Sequence, residues 1–328
     1  MADDEYRKVI SGAGVAPLLD WTTLRIAGGD RASFLHNLCT NDVRTLAPGE
    51  GQEAFLTDVK GKIVAHFVVL AGEDELLLVT VPGQAQRIIT HLDRYIIRED
   101  VQLADESPSL AWLIVVGRQS VDSLERLCSG CTAKLAANWA HAVVRVAGES
   151  LRLVRCEWPW CDGFMVGRPS AHVGAIARRL GESGAVACSE HVWHTVRIES
   201  GWPLYDVDFD ASHLPQEVGR DAQAISFRKG CYLGQETIAR IDALGHVNKR
   251  LATIAVGAED DPKPLEVGAE LFAGDQVVGV VRSACWSPTL IRPLALAMVR
   301  RGFNEAGSEM RCGDRTALVI NTPAISKP

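Results

Sequence analysis

The segment Lys229-Gly230-Cys231-Tyr232-Leu233-Gly234-Gln235-Glu236 packs one thiol, two glycines and a cation–carboxylate pair into eight residues. A segment that only fills space repeats its apolar positions at a period of 3.6 or 2. This one does neither, and its glycines permit tight turns and close backbone approach. Arg228 and Lys229 on one side and Arg240 on the other lie close enough in sequence to favour a thiolate on Cys231. The thiolate is the nucleophile or ligand form of cysteine. The competing reading is a buried, inert thiol, the common fate of a free cysteine. Exposure decides between them.

A second dense motif is Arg197-Ile198-Glu199-Ser200-Gly201-Trp202-Pro203. With Trp193 and Val196 it reads as the end of an amphipathic helix, capped at Gly201 and stopped by Pro203. Glu199 then sits at the unfavourable end of the helix dipole. Such a carboxylate either meets the N–H groups of a ligand or pairs with Arg197 or another cation. Trp21 and Trp193 are candidate walls for a flat heteroaromatic ligand, against which a carboxylate could accept two charge-assisted hydrogen bonds. Equally, both tryptophans could be core residues.

Other patterns are weak. Gly12-Ala13-Gly14 lacks a third glycine for a dinucleotide fingerprint, and no phosphate-binding loop or Gly-x-Ser-x-Gly elbow occurs. Cys128 and Cys131 have metal-ligand spacing, but Cys156 and Cys161 are widely spaced around Trp158-Pro159-Trp160. His191 and His194 lack a third ligand nearby. No metal site is expected from these residues.

The elements that must position these groups alternate between hairpins and helices. Leu18 to Ile26 reads as a strand, Gly28-Gly29 as a turn, and Ala32 to Leu38 as a short helix that Asp30 is placed to cap. The runs Ile63 to Leu70 and Leu76 to Val81 form a hairpin, followed by a helix over Gln84 to Tyr95. A strand over Leu110 to Val116 precedes a helix over Ser120 to Leu127. A second hairpin spans His141 to Val146 and Ser150 to Arg155, and a further helix covers Ala171 to Leu180. This mixture predicts an α+β fold rather than a doubly wound sheet. Beyond a boundary near 243–248 the chain changes to a strand over Lys249 to Val256. A Pro-rich break at Asp260-Asp261-Pro262-Lys263-Pro264 follows, then short strands punctuated by glycine and proline, which predict a small β-barrel or sandwich. The tail Ser326-Lys327-Pro328 is expected to fray.

With 328 residues, two or three structural units are expected. The net charge is −7 and the basic residues are scattered, which disfavours direct strong nucleic-acid binding. The acidic Met1-Ala2-Asp3-Asp4-Glu5 has no apolar run behind it, so no signal peptide is expected. No apolar run approaches a membrane span. Nine cysteines without a secretion signal read as reduced thiols in a cytoplasmic protein.

Taken together, these motifs resemble the YgfZ family, folate-binding proteins related to the aminomethyltransferase (T-protein) of glycine cleavage. The resemblance runs through Trp21-x-x-Leu24-x-Ile26-x-Gly28-x-Asp30, Thr40-Asn41-Asp42-Val43, Lys60-Gly61-Lys62, Trp193 and Arg197-Ile198-Glu199-x-Gly201-x-Pro203. It continues through Leu214-Pro215-Gln216-Glu217 to Ile225-Ser226-Phe227-x-Lys229-Gly230-Cys231-Tyr232-x-Gly234-Gln235-Glu236. It implies a folate-binding body of two intertwined α+β units over 1–245, with about 50–110 as an inserted subdomain, and a small C-terminal β-barrel over 246–328. It implies tetrahydrofolate as cofactor, contacted by Trp21, Trp193 and Glu199, with Cys231 as working thiol and Lys229 in support. It also implies iron–sulfur client enzymes or assembly factors as partners, including radical enzymes that modify tRNA. T-proteins carry paired aspartates a few residues after the Lys-Gly-Gly turn. Here Ala65 and His66 stand in those places, and alanine transfers no proton.

Three functions follow from this resemblance. The first is a folate-dependent factor for assembly or repair of iron–sulfur clusters. The second is a folate-dependent aminomethyltransferase or demethylase acting on a small amine. The third is a noncatalytic folate-sensing scaffold.

Overall fold

The computed structural model describes residues 2–158, 161–257, 263–321 and 323–324. Residues 258–262 of the Pro-rich break, Pro159-Trp160 and the tail 326–328 lie outside them.

The chain begins with α1 (Ala2–Ser11), β1 (Gly14–Leu18), β2 (Trp21–Ala27), α2 (Arg31–His36), β3 (Gly51–Thr57), β4 (Ile63–Ala71), β5 (Glu75–Pro82), α3 (Ala85–Asp93), β6 (Gln102–Asp105) and β7 (Leu110–Val116). Next come α4 (Ser120–Leu127), β8 (His141–Val146), β9 (Glu149–Trp158), β10 (Cys161–Pro169), α5 (Val173–Glu182), β11 (Val186–Ala187) and α6 (Glu190–Glu199). Short helices α7 (Pro215–Val218) and α8 (Asp221–Ala224) lead to α9 (Gln235–Leu244). The C-terminal strands are β12 (Lys249–Val256), β13 (Glu270–Ala273), β14 (Gln276–Ser287), β15 (Arg292–Arg300), β16 (Glu309–Cys312) and β17 (Arg315–Ile320).

The strands form a six-stranded sheet ordered β11-β1-β7-β10-β9-β8, a five-stranded sheet ordered β3-β4-β5-β2-β6, and a closed barrel ordered β12-β15-β14-β13-β16-β17. Strand β1 pairs antiparallel with β7, from Gly14 opposite Val116 to Leu18 opposite Trp112. Everything from Trp21 to Asp105 is therefore an excursion that builds the second sheet. It starts earlier than residue 50 because β2 lies inside that sheet, paired to both β5 and β6.

Side-chain alternation sorts each sheet's residues into two cores. Val68, Leu70, Leu77 and Val79 of the second sheet meet Leu18, Ile114 and Val154 of the first in one cluster between the sheets. The opposite faces are covered by α2 and α3 on the second sheet and by α4 and α5 on the first. The barrel encloses its own core. Asp30 precedes α2 but makes no capping bond to it. Its carboxylate instead accepts from the Asp100 amide at 2.8 Å, while Asp100 accepts from the Gly29 amide, tying the β2–α2 turn to the chain entering β6.

One buried ion pair joins body and barrel. Arg197 of α6 donates to Asp208 Oδ2 at 2.8 Å and to Ser283 Oγ of β14 at 2.7 Å, and Ser283 donates to Asp208 Oδ1. Both charged side chains are shut off from solvent. Removing one partner of such a pair strands the other charge, which costs about 3–5 kcal/mol. Asp208→Ala should therefore lower unfolding free energy by about that amount, read as a drop in the urea midpoint. A loss below 1 kcal/mol would show that the charge is solvated in solution.

Candidate functional site

The Cys231 loop is held by its neighbours rather than by the thiol. Lys229 is nearly buried, and its ammonium donates to the carbonyl oxygens of His36 (2.5 Å), Cys39 (2.8 Å) and Asn41 (2.9 Å). These carbonyls belong to the C-terminal end of α2 and the chain just beyond it, where unsatisfied oxygens and the helix dipole favour a cation. Lys229, expected to support the thiol, thus makes its hydrogen bonds elsewhere. Its three donors are spent on backbone carbonyls, and what it supports is the loop.

Two further bonds fix the loop's exit. The Leu233 amide donates to Asn37 O at 3.0 Å, and Thr57 Oγ1 donates to Leu233 O at 2.7 Å. Gly234 adopts φ +80, and a Cβ there would lie 2.4 Å from Asp58 O and 2.9 Å from the Gly61 Cα. The motif's second glycine is therefore required by close backbone contact with the Lys60-Gly61-Lys62 turn. Cys231 itself is exposed, while Cys128 is half-buried and the other seven cysteines are buried. Cys131 belongs to the core under α4 and α5, and Cys156 and Cys161 to the core between the sheets. The two spaced pairs do not come together.

The aromatic site is a small cavity between the β3–β4–β5 face and the chain after α6. Trp21, Glu53, His66, Thr80, Trp202 and Tyr205 line it, and its volume is about 20 Å³. That is room for a single water. Trp21 is half-buried on this wall. Trp193 is buried one ring behind it: it meets Trp158 edge-on at 5.2 Å, and Trp158 packs on Trp202 at 4.3 Å.

His66 of β4 stacks on Phe55 with ring centroids 4.7 Å apart. Its Nε2 lies 3.3 Å from Glu53 Oε2. Glu53 is 2% exposed and receives the Arg220 guanidinium through both Nε, at 3.0 Å, and Nη2. Burial pushes the Glu53 pKa up, but the Arg220 charge and the His66 contact outweigh it and hold it at about 2. The pair is a carboxylate-bound imidazole on the cavity wall, with Nε2 the nitrogen that faces Glu53. Ala65 is fully buried on the helix-covered face and takes no part. Sequence reasoning missed Glu53 and Arg220, which are 167 positions apart and carry no local signature.

Glu199 lies elsewhere. It is fully buried, and its carboxylate accepts from the Tyr6 hydroxyl of α1 (2.6 Å) and the Ser287 hydroxyl of β14 (2.5 Å). Its pairing with Arg197 does not occur, because Arg197 is committed to Asp208. Six residues along a helix turn the side chain by about 240° relative to Trp193. Trp193 and Val196 accordingly face the core between the sheets, while Ile198 faces the barrel. The structure does not bring Trp21, Trp193 and Glu199 to one surface.

Two facing α+β sheets followed by a closed six-stranded barrel define the class of protein. The architecture superposes on the crystal structure of glycine cleavage system aminomethyltransferase T from Bartonella henselae with a TM-score of 0.84, covering 99% of this chain and 89% of that one at 19% identity. The GCVT N-terminal domain matches residues 1–229, and the glycine cleavage T-protein C-terminal barrel domain matches 249–323. The chain belongs to the glycine cleavage T-protein family.

Among curated relatives, an aminomethyltransferase of Synechococcus sp. (strain RCC307) is 26% identical over 97% of this chain and 89% of its own length. One from Symbiobacterium thermophilum is 27% identical over 99% and 89%. These matches reach the T-protein family as a whole rather than a YgfZ branch. The exposed thiol falls in 230–248, between the two matched domains. Among the described residues no helix is long and apolar enough to cross a membrane.

Burial raises the Glu199 pKa from 4.5 to about 7, against the pull of the Ser287 and Tyr6 hydroxyls. A carboxyl whose folded value is raised stabilises the fold fully below its unfolded value, and that stability is lost as pH rises through the folded one. The shift corresponds to about 3 kcal/mol. Relative to Glu199→Gln, which keeps the hydrogen bonds and does not titrate, the native protein should lose stability by about this amount between pH 4.5 and 8. Denaturant midpoints across that range check it. Parallel curves for the two proteins would place the Glu199 pKa near its ordinary value.

Proposed function

We propose that this protein binds tetrahydrofolate and supports assembly or repair of iron–sulfur clusters in client enzymes, with Cys231 as its working thiol. The observation that carries this reading is the exposure of Cys231 on a loop whose flanks are clamped to α2 and to the Lys60-Gly61-Lys62 turn. A thiol that only filled space would be buried. The lack of any carboxylate at Ala65 and His66 separates the chain from relatives that would use one there. Folate as the ligand is supported by family membership and by the aromatic cavity wall. The cavity must widen to admit a pterin, and Trp21 and Trp202, both half-buried, stand on its wall.

A second reading has its own observations. The relatives are named aminomethyltransferase along nearly the whole chain, and this weighs toward a folate-dependent aminomethyltransferase or demethylase acting on a small amine. In that reading the proton is handled by His66, oriented by Glu53, in place of an aspartate.

Two measurements separate these readings. Tetrahydrofolate titration should quench or shift tryptophan emission, with a smaller change in Trp21→Phe; an unchanged spectrum at millimolar ligand removes folate from both. In a deletion strain, Cys231→Ala should fail to restore iron–sulfur enzyme activity while His66→Ala restores it. Full rescue by Cys231→Ala, with amine-dependent methylene-tetrahydrofolate formation that His66→Ala abolishes, would establish the second reading instead.

A further inference from the structure

Cys128 and Cys131 lie just beyond helix α4, on the face of the first sheet opposite the core between the sheets. The chain leaves α4 extended at Cys128 (φ −152, ψ 99) and turns at once, with the Cys131 amide donating to Cys128 O at 3.1 Å. Gly130 stands third in that turn with φ +72, the position where a four-residue turn of this kind needs glycine. The ends of such a turn lie within about 7 Å of each other. A disulfide spans Cα separations of about 4.4–6.8 Å. The backbone already holds the two cysteines at disulfide range.

The turn is also held by a side chain of α4. The Glu125 carboxylate accepts from the Gly130 amide at 2.6 Å, the Thr132 amide at 2.9 Å and the Thr132 hydroxyl. The residues on both sides of Cys131 are therefore fixed.

Within this frame the two sulfurs are neighbours of unequal access. Cys131 is buried in the core under α4 and α5, and its thiol donates to Leu124 O at 3.5 Å. Burial first, then the adjacent Cys128 sulfur and the Glu125 charge, push the Cys131 thiol up to about 12. Cys128 is half-buried at the edge of the same core, so it is the one a reagent can reach. The Leu124 oxygen also accepts the Cys128 amide at 2.8 Å. Loss of the Cys131 thiol proton would leave no orphaned carbonyl.

We propose that Cys128 and Cys131 form a redox pair, a modification site that reacts with a small disulfide of the glutathione class. Cys128, as thiolate, attacks one sulfur of glutathione disulfide, forming a mixed disulfide and releasing one glutathione thiolate. Cys131 then loses its proton and attacks the Cys128 sulfur, so the Cys128–Cys131 bond forms as the second glutathione leaves. The protein thiols give up two electrons and two protons, and the small disulfide is reduced to two glutathione molecules. The C-terminal end of α4 and the Glu125 carboxylate both oppose a thiolate at Cys131. Closure is therefore slow, and the reduced pair gains no thiolate stabilisation that would make the disulfide easy to reduce. The other spaced pair lacks such access, because Cys156 and Cys161 are both shut in the core between the sheets.

The test maps the cysteines of the native protein after exposure to oxidised glutathione at pH 8. The glutathione is raised until exposed Cys231, in tryptic peptide 230–240, carries it. The protein is then alkylated with iodoacetamide under denaturing conditions and digested. Cleavage after Arg126 and Lys134 releases 127–134, with these two cysteines and no other. That peptide should appear two hydrogens lighter and unalkylated, and dithiothreitol before alkylation should return it to the doubly alkylated form. Cys131→Ser should stop the reaction at its first step, with glutathione left on Cys128. The native digest decides even if that core substitution fails to fold. Doubly alkylated 127–134 overturns the proposal, as does glutathione that stays on Cys128 in the native protein.

Discussion

Helix α6 carries two buried carboxylate nodes within one turn of its C-terminal end, and the union of body and barrel depends on them. At the first, Asp208 meets the Arg197 guanidinium and the Ser283 hydroxyl, so both charges are compensated inside the protein. At the second, Glu199 meets only hydroxyls, from Tyr6 and Ser287. The difference sets their behaviour. An ion pair with its remaining donors satisfied tolerates burial, whereas an isolated carboxylate is driven toward its neutral form. Both nodes draw on β14, through Ser283 and Ser287, one helix-facing side of a barrel strand whose residues alternate. The N-terminal helix α1 joins the second node through Tyr6, so three sequence-distant elements meet at one carboxyl group.

Much of the architecture was legible because it rests on local periodicity. The helix over Ser120–Leu127 and the hairpins around 63–81 and 141–155 follow from apolar spacing and turn residues alone. The inserted sheet begins earlier than the resemblance implied, because the partners of β2 are set by pairing with β5 and β6 and not by any property of Trp21–Ala27. The site was less legible for a similar reason. Arg220 and Glu53 are brought together only by tertiary structure, and no spacing announces them. The separation of Trp193 from Glu199, by contrast, was readable in principle. Six helical residues cannot share a face, and motif density obscured that geometry.

The thiol motif shows how sequence proximity misleads about charge. Lys229 is two residues from Cys231, yet its ammonium points to three carbonyl oxygens at the end of α2. Burial lowers its pKa, and those carbonyls, with the helix dipole behind them, keep an ammonium there favourable. The charge anchors the strand of backbone from which the thiol projects. Gly234 completes the anchoring by approaching Asp58 and Gly61 more closely than any side chain allows. Lysine and glycine on either side of the cysteine are thus positional, and the cysteine is the motif's only exposed chemical group of its kind.

This division of labour bears on the hairpin at His66. A carboxylate presented directly to a ligand can accept a proton only after losing the stabilisation of its ionised form. Glu53 is held at a pKa of about 2 by Arg220 and His66 despite its burial, so it is a poor base near neutral pH. Its negative charge is instead available to orient the imidazole, whose Nε2 lies 3.3 Å away. In the cavity wall the carboxylate is therefore a partner of the imidazole rather than a base of its own. The aromatic packing of His66 against Phe55 and Phe209 restricts that imidazole to one orientation. The cavity wall thus holds an imidazole tied to a buried carboxylate, while the thiol stands in solvent on a loop anchored to the β3–β4 turn.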